Sequence, residues 1–339
     1  VPAAPLALVR QVGENLSMAA TRTSAGSSTK LSVVGAGSVG TAVAYACLLR
    51  GSADAIALFD TNPAKVRAEV LDLNHGTQFA PSCRIEGGDD VAVTAGSDLI
   101  VVTAGAKQHP GQSRLELAAA NVALARDLTP RLLSASPDAV IVFVSNPVDI
   151  VTRAAVAATG IADGRIFGSG TVLDSGRLRY LLAHRADVAV ENVHAFVVGE
   201  HGDSEVALWS GATIGGVPVD SFTVDGRPVF GAATRAELFD EVVRSAYEII
   251  RGKGATNLAI GLSSARIVEA VLRNQRRVLA VSTLQTGLHG LQDVCLSLPT
   301  IVDARGAHTV LEVPLSSEEK SGLAASAATL HDVQSSLGL

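Results

Sequence analysis

A doubly wound parallel α/β sheet followed by a mixed α+β half is the fold that this sequence predicts, and three observations predict it. Over residues 30–170, near-continuous Val/Ile/Leu runs of strand length alternate with segments of helical period. The first such run ends in Gly35-Ala36-Gly37-Ser38-Val39-Gly40, a GxGxxG turn that opens a helix. After about residue 170 the pattern changes to polar helices and Gly-rich pieces such as ATIGGVPVDSFTV and GRPVFG, which read as antiparallel.

In chain order, LSVVG is a strand, GAGSVG a turn and TAVAYACLLRG a helix closed by Gly51. AIALFD is a second strand, and a helix follows from about Pro63, where a first helical position tolerates proline. DLIVVTAGA is another strand, residues 113–133 are helical in period, and AVIVFVSNP is a further strand stopped by Pro147. The C-terminal SSEEKSGLAASAATLHDVQSSL reads as an amphipathic helix behind a Ser cap. Residues 1–29 lack a sustained apolar period and end rich in Ser, Thr, Ala and Gly, the composition of a disordered extension rather than of a signal peptide. Met18, the sole methionine, is a candidate translation start. The expected domains are therefore 30–170 and 171–339, with 1–29 as the extension.

Composition excludes several classes. Aromatic residues are 4% against 47% hydrophobic overall, so Ala, Val and Leu do the packing, which suits buried parallel strands better than a base-stacking surface. A net charge of −6 argues against nucleic-acid or anionic-membrane partners. No apolar run reaches the roughly 20 residues that span a bilayer. Cys47, Cys83 and Cys295 lie far apart with no metal-ligand spacing, as expected of reduced packing residues in a cytoplasmic protein without a bound metal.

The glycine turn lies between a strand and a helix, and Asp60 ends the next strand twenty residues after Gly40. That context is the one a dinucleotide needs. The glycines let backbone approach a pyrophosphate at a helix N-terminus, and the acid accepts bonds from ribose hydroxyls and repels a 2′-phosphate. A Rossmann domain that prefers NAD to NADP follows. His201, in Gly199-Glu200-His201-Gly202-Asp203 after the strand VHAFVVG, has glycines around it and room to face a ligand. As an imidazole it can exchange a proton near neutrality, although a lone His is more often structural. Asp174 and Arg177, at i and i+3, read either as a helix-surface ion pair or as site residues. In GAKQHPGQSRLEL, Arg114 follows the amide Gln108 by six positions with Pro110 and Gly111 between, a make-up suited to a loop that delivers a cation.

Together these segments resemble the lactate/malate dehydrogenase family, on its bacterial-type L-lactate dehydrogenase branch. VVGAGSVG, LDLNHG, VTAGAKQHPGQSRLEL, SNPVDI, GSGTVLDSGRLRYLL, NVHAFVVGEHGDSE and GKGATNLAIG carry the resemblance, in order, from about Leu31 to the C-terminus. It implies that His201 is the general acid/base, that Asp174 orients it and that Arg177 grips the substrate carboxylate. It also implies that Arg114 polarises the substrate carbonyl, that Asn146 bonds the substrate oxygen near the nicotinamide, and that Thr256 lines the substrate side. Gly35, Gly37, Val39, Gly40, Asp60, Lys65, Gly105, Ala106, Ser145, Asn146 and Ser169 match cofactor-contacting positions.

Gln108 separates the branches. The resemblance implies an arginine there in malate dehydrogenases, paired with the second carboxylate of oxaloacetate. A neutral amide leaves that charge unpaired at a cost of several kcal/mol, so pyruvate and L-lactate are the expected substrates. Arg179 and His194 match positions that bind the phosphates of fructose 1,6-bisphosphate in activated bacterial members, and a homotetramer is implied. Malate, a branched-chain 2-hydroxy acid, or NAD binding without turnover stand as alternatives.

Overall fold

A computed structural model of the chain describes residues 28–106 and 113–339. The N-terminal extension up to residue 27 and the loop holding Gln108 lie outside the described residues. β1 (Lys30–Val34) passes through the glycine turn into α1 (Ser38–Leu49), followed by β2 (Ala55–Phe59), α2 (Pro63–His75) and β3 (Arg84–Gly88). β4 (Leu99–Val102), α3 (Arg114–Ala135), β5 (Val140–Phe143), α4 (Val148–Thr159) and β6 (Ile166–Gly168) complete the first half. These strands pair in parallel. Every residue of β2, β4 and β5 is buried, because helices cover both faces. Helix starts follow their sequence signals. Pro63 occupies the first turn of α2 behind Asn62, whose side chain accepts from the Lys65 N–H. Ser113 and Glu116 form a reciprocal capping box on α3.

The second half runs α5 (Val172–Ala186), then the short strands β7 (Val193–His194), β8 (Val197–Val198), β9 (Val206–Ala207), β10 (Thr213–Ile214), β11 (Val217–Pro218), β12 (Thr223–Val224) and β13 (Arg227–Pro228). α6 (Ala232–Lys253), α7 (Leu258–Leu272), β14 (Arg277–Thr286), β15 (Gln292–Asp303), β16 (Gly306–Val310) and α8 (Ser317–Ser336) follow. The Gly-rich pieces are antiparallel, β10 with β11 and β12 with β13. α8 starts behind Ser316 in a second capping box, with Glu319.

One feature went unread in the sequence: β14, β15 and β16 join the parallel sheet instead of forming one of their own. The order is β16-β15-β14-β6-β5-β4-β1-β2-β3, with Ser282 of β14 antiparallel to Gly168 of β6. The core is accordingly shared. On one face Val33, Leu58 and Val101 pack with Val43 of α1, Val268 of α7 and Val281 of β14. On the other, Ile100 and Phe143 pack with Leu132 of α3, Ile150 of α4 and Leu330 of α8. Arg50, at the end of α1, binds Glu269 of α7 through two bonds of 2.9 and 2.7 Å, which joins the first half to the second.

Candidate active site

The chain turns from β3 back across β1 to β4, so the carboxyl ends of β1 and β4 flank a topological switch point, where open α/β sheets bind ligands. Gly35 there has φ +98°, and a Cβ on it would lie 2.7 Å from the Ala104 nitrogen. A Cβ on Gly40 would lie 1.8 Å from the Gly35 carbonyl oxygen, so only hydrogen fits between turn and helix. No side chain caps the start of α1 behind Gly37, leaving its first N–H groups for an acceptor from outside the chain. Val39 packs against the core below. Asp60 accepts from the Ala36 N–H at 2.8 Å and the Asn62 N–H at 3.0 Å, and Lys65 Nζ stands 3.9 Å from it. Each carboxylate oxygen keeps a lone pair for a ribose hydroxyl. The turn, the uncapped helix and the acid fit a dinucleotide.

Gly105 and Ala106 follow β4, Ser145 and Asn146 follow β5, and Ser169 follows β6, so all lie along the same sheet edge. A residue that the sequence did not single out ties two of these segments together. Buried Asn121 of α3 accepts from the Ala106 N–H at 2.7 Å and donates to the Asn146 carbonyl at 2.7 Å. Ser169 donates its N–H to the Phe143 carbonyl at 2.7 Å, anchoring the chain as it enters α5.

α5 and β8 bring the catalytic candidates together. The Thr171 hydroxyl donates to the Val197 carbonyl at 2.6 Å, and the Val197 N–H donates to Ser175 Oγ at 2.9 Å. These bonds lock the first turn of α5 to the strand that leads into His201. Asp174, 2% exposed, is no surface residue. Its Oδ2 meets His201 Nδ1 at 2.7 Å, and its Oδ1 accepts from the Arg177 guanidinium. The His201 N–H donates to Asp149 of α4 at 2.7 Å, fixing the backbone beneath the ring.

Electrostatics follow from that arrangement. Burial alone would lower the His201 pKa. The Asp174 carboxylate, aided by Asp149 and Glu205, outweighs it and raises the imidazole to about 9. Burial would raise Asp174, but His201 and Arg177 hold it below the ordinary carboxylate range. Burial pushes Asp149 up to about 6, and burial followed by the Asp174 charge pushes Glu205 up to about 8. Neither Asp149 nor Glu205 stood out in the sequence.

Arg114, the first residue of α3, donates to Asp203 at 3.1 Å and to the Tyr247 hydroxyl at 3.2 Å, with Tyr247 in turn donating to Asp203 at 2.7 Å. Its partners are thus on the His201 turn and on α6, and among the described residues it bonds none of His201, Asp174 and Arg177. Thr256, between α6 and α7, has a buried hydroxyl with no partner among the described residues. Arg179 donates Nε to the Ala195 carbonyl at 2.8 Å and lies over the Phe196 ring at 4.9 Å; His194, which precedes Ala195, is exposed. Burial holds the Arg179 pKa below the usual arginine value, and no carboxylate pairs with it among the described residues. No helix among those residues is long and apolar enough to cross a membrane.

Known proteins resemble about nine-tenths of the chain. It is 47% identical over 311 residues to an L-lactate dehydrogenase of Bifidobacterium animalis subsp. lactis, a match covering 91% of this chain and 97% of that one. It is 46% identical to an L-lactate dehydrogenase of a Synechococcus species, covering 91% of this chain and 99% of the relative. A crystal structure of a minor L-lactate dehydrogenase from Enterococcus mundtii superposes with a TM-score of 0.88 at 36% identity, over 91% of this chain and 98% of that one. Another, of a lactate dehydrogenase from a Medee basin deep-sea metagenome library, gives 0.88 at 33% identity, over 92% and 99%. Residues 29–168 match the NAD binding domain of lactate/malate dehydrogenase, and residues 171–336 match its alpha/beta C-terminal domain. The chain belongs to the lactate/malate dehydrogenase family.

Proposed function

We propose that this chain is an NAD-dependent L-lactate dehydrogenase interconverting L-lactate and pyruvate. The observation that carries the reading is the division of Asp174 between two partners, His201 on one oxygen and Arg177 on the other. One buried anion thereby sets an acid–base group and a carboxylate-binding fork side by side. NAD, when bound, accepts the hydride from C2 of lactate. With Nδ1 engaged by Asp174, His201 Nε2 takes the lactate hydroxyl proton, and in the reverse direction the imidazolium returns it to the oxygen of pyruvate. The Arg177 N–H groups not used by Asp174 hold the substrate carboxylate. Arg114, on leaving Asp203 and Tyr247, stabilises charge on the carbonyl oxygen. Asn146 bonds that oxygen, the unpartnered Thr256 hydroxyl lines the substrate side, and Gln108 selects against a second carboxylate. Gly35, Gly37, Val39, Gly40, Asp60, Lys65, Gly105, Ala106, Ser145, Asn146 and Ser169 hold the cofactor.

Steady-state oxidation of NADH with pyruvate, oxaloacetate and 2-oxoisocaproate tests this reading. The largest kcat/KM is expected for pyruvate. A preference for oxaloacetate would assign the chain to malate, and binding of NADH without turnover of any 2-oxo acid would exclude catalysis. The same reading assigns Arg179 and His194 to fructose 1,6-bisphosphate, in a cytoplasmic homotetramer. A half-buried guanidinium with no carboxylate partner among the described residues, bonded to the carbonyl of the residue that follows exposed His194, supports it. The bisphosphate should lower the pyruvate concentration for half-saturation, and an unchanged curve at acidic and neutral pH would contradict it.

A further inference from the structure

Beside the Asp174–His201 pair lies a carboxylate that the mechanism above does not use. Glu205, immediately before β9, is 8% exposed. Its carboxylate, the His201 ring and the Asp174 carboxylate each offer an atom within 4.8 Å of the other two. Glu205 makes no salt bridge among the described residues, and its neighbouring cations, Arg177 and His201, are those already bound by Asp174. The groups that face it are Asp174 and Arg177 from α5 and His201 and Glu200 from the turn before it. Asp149 of α4 adds its field at His201, whereas Asp203 is taken up by Arg114 and Tyr247.

We propose that Glu205 is a positioning residue, a second carboxylate on the His201–Asp174 pair whose charge sets how tightly His201 holds its exchangeable proton. The proposal rests on His201 being the acid–base group of the lactate–pyruvate reaction. Burial, then the Asp174 charge, raise Glu205 to about 8, while His201 and Arg177 beside it pull the other way, so the protons of Glu205 and His201 are held interdependently. An ionised Glu205 places an anion beside the imidazolium and delays loss of its proton. A neutral group of the same shape cannot, so the proton then leaves at lower pH.

The test is an NMR titration of the His201 Cε1–H in the free enzyme, assigned by its disappearance in His201→Asn. Glu205→Gln is expected to lower the midpoint by about half a pH unit or more, roughly threefold in proton affinity, and Glu205→Asp to restore most of it. The alkaline limb of pyruvate reduction should move by the same amount, read at its midpoint and not its height. A midpoint unmoved in a folded Glu205→Gln protein, or lowered equally in both variants, would overturn the proposal. If the midpoint moved as expected but no form reduced pyruvate, Glu205's hold on His201 would stand and the substrate assignment would fall.

Discussion

Asp174 makes the imidazole a better base and the guanidinium a better-placed fork at the same time, because its two oxygens have one partner each. Replacing it with Asn removes the charge that outweighs burial at His201, so the imidazole pKa must fall. Asp174→Asn is expected to reduce kcat/KM for pyruvate by about 100-fold or more, the range of a general acid–base contribution, and to raise KM through loss of the Arg177 anchor. Single-substrate kinetics at fixed NADH would check both. Short local patterns singled these three residues out in the sequence but left a structural histidine and a helix-surface ion pair open, and only the family resemblance implied their roles. Asn121, Asp149 and Glu205 were not singled out. Asn121 acts on Asn146 and Asp149 on His201, contacts separated by 25 and 52 residues that no local spacing announces. Arg114 was legible as a cation but not as a partner of Asp203 and Tyr247, since Tyr247 is 133 residues away.

At the scale of elements, α3 reaches back to the sheet edge through Asn121, which ties the segments after β4 and β5. Asn121→Ala leaves the Ala106 N–H and the Asn146 carbonyl without these partners, and a destabilisation of about 1–3 kcal/mol is expected, a buried-polar penalty. Urea unfolding would read the loss, and NADH fluorescence titration should show weaker cofactor binding in the same variant. An unchanged Kd would mean that the two segments are held by other contacts. The parallel strands and their helices were readable because continuous Val/Ile runs and caps such as Ser316 act locally. β14 to β16 were not. β15 carries Pro299, which argues against an interior strand, and its run Val294–Pro299 is buried without alternation, so no period of two marks it.

For the molecule as a whole, the nine-stranded sheet crosses from one half to the other at β6 and β14. Val33 and Val281 share one core, and the Arg50–Glu269 pair adds a polar tie. The two halves are therefore expected to unfold in one cooperative urea transition, with fluorescence of Trp209 in the second half and far-ultraviolet circular dichroism coincident. Two separated transitions would mean that the shared sheet does not couple them. The fold class was legible from the order of strands and helices, whereas the joining of the halves depends on pairings that only the folded chain brings about.

The site's central feature is an imidazole held by Asp174 and raised to about 9. On the proposed mechanism, pyruvate reduction needs the protonated ring and lactate oxidation the neutral one. The most direct measurement is kcat/KM in both directions against pH with a saturating cofactor. Pyruvate reduction should fall as pH rises through about 9 while lactate oxidation climbs over the same range, as the ring loses one proton. Limbs that run parallel, or mirror limbs centred near the ordinary imidazole value of about 6.5, would contradict the account.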